Sequence, residues 1–169
     1  MGHTNIGYEG IVKLRFNIGS KEIVYQNHNE GLPSLFKTIC KALSGFNIDE
    51  DRPHFMNLKY GESATTTQWY SAVVTPMSLS SVTYGPDPNH NGDFTVKFTS
   101  ILTFNNLMYE VTDTDLSGTG NKFRLCLQDS NGIDLAYLPL EPSALGYLSS
   151  GTQAIIEWTM TFKNVLKEG

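Results

Sequence analysis

Cysteine, charge and long apolar runs are all scarce in this chain, and each shortage excludes something. Only two cysteines occur in 169 residues, Cys40 and Cys126, far apart and outside any C-x-x-C pair. Neither a zinc cluster nor a disulfide framework is therefore indicated, and both thiols are expected to be reduced and buried. Charged residues make up 17%, below the roughly 25% usual for globular domains, with a net charge of −5 and no cluster of Lys or Arg. That excludes a phosphate backbone as a partner, so nucleic acid is not expected. No stretch approaches the ~18 consecutive apolar residues of a membrane helix. The opening "MGHTNIGYEG" has neither the basic start nor the apolar run of a secretory signal, and Ile6 stands where myristoylation needs Ser or Thr. Synthesis in a cytoplasm, with no membrane partner, is the expectation.

What is present is a folding composition, 40% hydrophobic and 11% aromatic, in a length that can bury a core without metal or cofactor. The dominant period is two. In "DFTVKFTSILTF" Phe94, Val96, Phe98, Leu102 and Phe104 share one face, opposite Thr95, Lys97, Thr99 and Thr103. "IVKLRFN" sets Val12, Leu14 and Phe16 against Lys13, Arg15 and Asn17, and "KFRLCLQ" sets Phe123, Leu125 and Leu127 against Lys122, Arg124 and Gln128. Further candidate strands lie at 21–26, 55–60, 68–74, 78–84, 107–112 and 133–138. One segment has helical spacing instead: "GLPSLFKTICKALSG" places Leu35, Phe36, Ile39, Cys40 and Leu43 on a stripe, with Pro33 fit for a first turn and Gly45 for a stop. Asn131-Gly132 is a hairpin signal. The pattern predicts a mainly β fold, an antiparallel β-sandwich of jelly-roll or Ig-like type with eight to ten strands and one helix at 33–44. Residues 11–166 form that domain; residues 1–10, with Gly2, Gly7 and Gly10, are expected to be a flexible arm that orders on contact with a partner.

Chemistry-bearing motifs are few. "DPNHNG" at 87–92 and "DTDLSG" at 113–118 begin like calcium loops, but the closing Glu is replaced by Phe98 and Arg124. No metal and no cofactor are expected. "SGTGN" at 117–121 precedes a strand rather than a helix, so it reads as a turn and not a phosphate cradle. His3, His28, His54 and His90 are scattered and read as surface residues. No G-x-S-x-G or Cys/His setting marks a nucleophile, the carboxylates of "NIDEDRP" read as a solvated turn, and no catalytic residue is assigned. Trp69 and Tyr70 are adjacent, so a strand would send them to opposite faces, and Tyr137 and Tyr147 flank a Pro-rich crossing.

The final strand, "GTQAIIEWTMTFKN", sharpens the question of function. Glu157 and Trp158 look like a carbohydrate or catalytic pair, yet neighbours on a strand point to opposite faces. Trp158 belongs inside with Ile156 and Met160, and Glu157 outside with Thr159 and Thr161. Ile155 is the apolar exception on the outer face, as a strand docked on a neighbour would carry.

A helix "LFKTICKALSG", a strand near "RPHFMNLKYG", long alternating strands, a hairpin "LQDSNGIDLAYLPLEP" and that last strand follow one another over residues 31–164. This succession resembles small β-sandwich proteins of tailed bacteriophage virions, found as tail, collar, fibre-base or head-decoration components. Gly151, Thr152, Trp158, Met160 and Phe162 match the closing strand of such proteins. The resemblance implies a virion location and a non-enzymatic structural role in a multi-copy assembly, with other virion proteins and self-association as partners. Ile155, Trp69, Tyr70, Gly2, His3 and Asn5 are the candidate contacts. One alternative is a carbohydrate-binding module using Trp69 or Tyr70 on a host glycan. Another is an enzyme with dispersed carboxylates.

Overall fold

The computed structural model describes residues 2–18, 21–61, 68–71, 76–103, 122–140 and 153–168. The candidate strand at 107–112, the loops at 113–118 and 117–121, and Tyr147 lie outside the described residues. The described chain is mainly β, with ten antiparallel strands and one short helix. The strands are β1 (Gly2–Ile18), β2 (Lys21–His28), β3 (Glu30–Gly31), β4 (Phe55–Gly61), β5 (Tyr70–Ser71), β6 (Met77–Pro86), β7 (Phe94–Thr103), β8 (Lys122–Gln128), β9 (Asp134–Leu140) and β10 (Gln153–Glu168); the helix α1 is Pro33–Leu43.

The strands form one path, β2-β1-β10-β7-β6-β4-β8-β9-β3, with β5 added to β4. Two corners fold this path into a nearly closed, barrel-like sheet with two halves. At the first, β6 gives Met77 and Ser78 to β4 and then, past an irregularity between Leu79 and Ser81, runs along β7. Such a bulge bends a strand and lets it change partner. At the second, Asn29 separates β2 from β3, and its N–H bonds to the Gly10 carbonyl at 3.0 Å. The Asn29 side chain fills the space in which a Cβ on residue 10 would sit, so a larger residue there would have to displace Asn29 and the Tyr8 hydroxyl.

We call β2-β1-β10-β7-β6 half A and β4-β8-β9-β3 half B. The alternation of β10 decides its orientation: Ala154, Ile156, Trp158 and Met160 are buried. They pack with Val12, Phe98 and Leu102 of half A against Met56, Leu58, Phe123, Leu125, Leu127, Ala136 and Leu138 of half B. Fully burying side chains of this size contributes on the order of 1.5–3 kcal/mol each. Trp158 has a cost as well, since its buried indole N–H finds no partner among the described residues.

Three sequence expectations need correction. Gly2–Gly10, read as an arm, runs as strand from Gly2 and pairs with Met160–Glu168; the partner lies some 150 residues away, where local sequence gives no hint of it. The helix starts at Pro33 and ends before Gly45, whose φ is +80°, but its apolar stripe is only partly covered. Leu35 is buried and Ile39 packs on the core, whereas Phe36 and Leu43 (85% accessible) face solvent. Thr38 takes the buried position instead, donating its hydroxyl to the Ser34 carbonyl at 2.9 Å. Cys40, expected inside, is exposed; Cys126 is buried.

Candidate assembly surface

Half A exposes part of its outer face. Register places Val24, Arg15, Ile155 and Ile101 side by side across β2, β1, β10 and β7. Ile155 and Ile101 are direct cross-strand partners, 37% and 48% accessible, and Val24 is exposed as well. The neighbouring row is ionic: Glu157 lies 3.6 Å from Arg15 and 3.8 Å from Lys97. Glu157 and Trp158 do separate to opposite faces, since Trp158 is fully buried. The outward position of Ile155 is as its parity predicts.

A second apolar surface was not foreseen. Val82, Tyr84 and Phe94 share a face with buried Phe98, because Val82 pairs with Phe98, Tyr84 with Val96 and Pro86 with Phe94. They are nevertheless exposed, Tyr84 at 87%, because β6 has left β4 by this point and the inner face emerges from cover. Tyr8, Phe162 and Phe36 continue the aromatic row, with ring centroids 5.7 Å and 6.2 Å from Tyr8. Burial raises the Tyr8 phenol, and a hydrogen bond from Asn29 to its oxygen partly opposes the rise.

The loop joining β6 to β7 lies at the same end. Asp87, His90 and Asp93 each bring a ligand atom within 4.8 Å of the others. The calcium-loop pattern calls for a Glu at position 98, whereas the residue that closes this loop is Asp93, whose carbonyl accepts the Asp87 N–H at 2.9 Å. An imidazole and two carboxylates are donors suited to a divalent cation, but internal bonds account for the same loop. The Asp87 carboxylate accepts the Asn89 N–H at 2.9 Å, which holds its pKa below the usual range, and lies 3.3 Å from the His90 ring. Gly92, at φ +89°, completes the turn. Alongside, Glu9 pairs with Lys163 and lies 3.4 Å from His28; the Lys163 bond lowers the Glu9 carboxyl and raises the lysine.

Half B is built differently. On its outer face Asp134 accepts from Lys59 at 3.1 Å and from Gln128 at 2.8 Å, with Arg124 3.5 Å away. The Arg124 guanidinium lies 4.2 Å from the centre of the Trp69 ring and 4.9 Å from that of Tyr137. Cys126, Gln128 and Asn57 are buried on this face, Asn57 accepting from Ser71 at 2.9 Å. Burial drives the Cys126 thiol up to about 12. Of the rings expected to form a platform, Trp69 thus has a face occupied by Arg124, and Tyr70 is exposed but leans on Tyr60 at 5.6 Å.

The remaining candidates are dispersed. Gly2, His3 and Asn5 lie on β1 at the end away from β2. A cleft of about 410 Å³ at the β4/β6 corner is lined by Arg52, Pro53, His54, Phe55, Ser78, Leu79, Ser81 and Val82, with no carboxylate among them. Among the described residues no helix is long and apolar enough to cross a membrane. No protein-family model, curated protein or solved structure matches the chain.

Proposed function

We propose that the protein is a non-enzymatic structural component of a tailed-bacteriophage particle, present in several copies and working through protein–protein contacts of half A. The observation that carries this reading is the cross-strand pair Ile155–Ile101, two isoleucines left in water on the outer strand face, with exposed Val24 beyond Arg15 in the same row. Burying such a row against a neighbour is favourable by roughly 25 cal/mol per Å², and contiguous exposed apolar surface commonly marks interaction sites. The resemblance of the final strand and the order of elements to phage virion proteins supplies the class of neighbour. Mass spectrometry of washed particles should find the chain. A double variant, Ile155→Lys with Ile101→Lys, should fold and fail to incorporate. Absence from washed particles, or incorporation of the double variant at the normal level, sinks the reading.

Glycan binding is a second reading, favoured by one observation: Tyr84 and Phe94 are exposed diagonal neighbours on one face, on the strands that the Asp87–Asp93 loop joins. This platform, rather than Trp69 and Tyr70, is where a sugar would stack. A glycan array with the wild type and Tyr84→Ala tests it; no signal above the variant's rejects it.

A further inference from the structure

The β1–β10 pair outruns the rest of half A. β2 accompanies β1 only over Ile11–Ile18, and β7 accompanies β10 only to Phe162, whereas β1 and β10 stay paired out to Gly2 and Glu168. Gly2–Gly7 with Lys163–Glu168 is a two-stranded ribbon projecting by about 20 Å at roughly 3.3 Å per residue. A ribbon of this kind is marginal in water alone, and among the described residues nothing pairs with either of its outer edges.

The hydrogen-bonding phase of the β1 edge follows from one bond. Gly10 presents its carbonyl to Asn29, on the β2 side. In an antiparallel strand a residue's N–H and C=O point the same way, and successive residues alternate. Thr4, Ile6 and Tyr8 therefore present theirs along the free edge, while the odd-numbered residues bond to β10. Protein edges are normally blunted by Lys, Pro or other charge. The β10 edge has that protection in Lys163, Lys167 and Glu168, whereas Gly2–Tyr8 contains no Lys, Arg, Asp, Glu or Pro.

We propose that this edge pairs antiparallel with the same edge of a second copy, about a two-fold axis at Ile6, to make a continuous four-stranded ribbon β10-β1-β1-β10 between two barrels. Gly10 already bonds to Asn29, so the free stretch is Gly2–Glu9, and the register with Ile6 opposite itself pairs residues 3–9 with those of the copy and stops short of that bond. It sets Thr4 against Tyr8, both with bonding groups on the edge, and His3 against Glu9, and it brings no like charges together. The inference rests on the assembly reading above and names one partner in it, through a surface distinct from the Ile155 row.

Disulfide trapping reads the register directly. In a Cys40→Ser background, Ile6→Cys places two thiols across a bonded pair with Cα atoms about 5.5 Å apart, within the roughly 4.4–6.8 Å that a disulfide spans. Mild oxidation should give a covalent dimer, and His3→Cys, whose counterpart lies several residues away, should not. Ile6→Pro removes the edge N–H while sparing the bonds to β10. It should weaken the dimer in analytical ultracentrifugation by at least about tenfold, two bonds being lost across the axis, with circular dichroism unchanged. A wild type that sediments as a monomer at every concentration overturns the proposal. So does an oligomer that Ile155→Lys dissolves and Ile6→Pro does not, which leaves the assembly reading standing. A monomer whose melting temperature falls in Ile6→Pro also overturns it, assigning the edge to another segment of the same chain.

Discussion

The outer faces of the two halves solve the same problem in opposite ways. Half B covers its face with the chain's own side chains: Trp69 and Tyr137 flank Arg124, Lys59 and Gln128 converge on Asp134, and Cys126 and Asn57 lie buried beneath. Half A leaves Ile155, Ile101 and Val24 in solvent, with Glu157 3.6 Å from Arg15 and 3.8 Å from Lys97 in the row beside them. Both faces belong to one nearly closed sheet with one core, so the difference is not one of fold. A face already covered by the molecule's own side chains has little to gain from a neighbour; a face that leaves isoleucines in water has more.

The largest test breaks the core that both halves share. Trp158→Ala should cost about 3–5 kcal/mol in denaturant unfolding. Trp158→Phe should cost far less, because the N–H it loses has no partner among the described residues. Next, Asp134→Ala strips half B of the acceptor for Lys59 and Gln128, and about 2–3 kcal/mol should be lost; near-neutrality would mean that the network does not hold that face. Cys126 sharpens the contrast through pH. Its folded value of about 12 stands above the ordinary 9.0, so its contribution is complete below about pH 9 and lost as pH rises towards 12. Cys126→Ala should flatten that alkaline decline relative to the wild type. At neutral pH Cys40 alone should react with a thiol reagent until the protein unfolds. On half A, Ile155→Lys should change stability by no more than about 0.5 kcal/mol while weakening assembly. Glu157→Gln, removing two long ion pairs, should be the smallest effect of all, under about 0.5 kcal/mol.

Much of this fold is written in period two. β2, β4, β6, β7, β8, β9 and β10 lie where alternation predicts, and the two glycines assigned to a helix stop and a hairpin, Gly45 and Gly132, both have positive φ. What escaped notice depends on partners distant in sequence. Gln128 reads as a wet residue of β8 but is buried because Asp134 bonds to it. Thr38 displaces Phe36 and Leu43 from the covered side of α1 because Ser34 and Asp51 offer its hydroxyl two carbonyls. The surface legible in advance was Ile155, a parity violation within a single strand. Ile101 and Tyr84 obtain their meaning only from register, and Asp93 only from a closed loop.

The placement of β10 also sets a timetable. It lies between β1 and β7 at the centre of half A, yet it begins at Gln153. During synthesis the strands β3, β4, β8 and β9 are all available once Leu140 has emerged, so half B can assemble first. β1 must wait, paired only with β2, for a partner made some 150 residues later, a contact order that slows folding. Until then the inner faces of β1 and β7 have no neighbour between them, and the nascent chain is most prone to aggregate in the interval between Leu140 and the last strand.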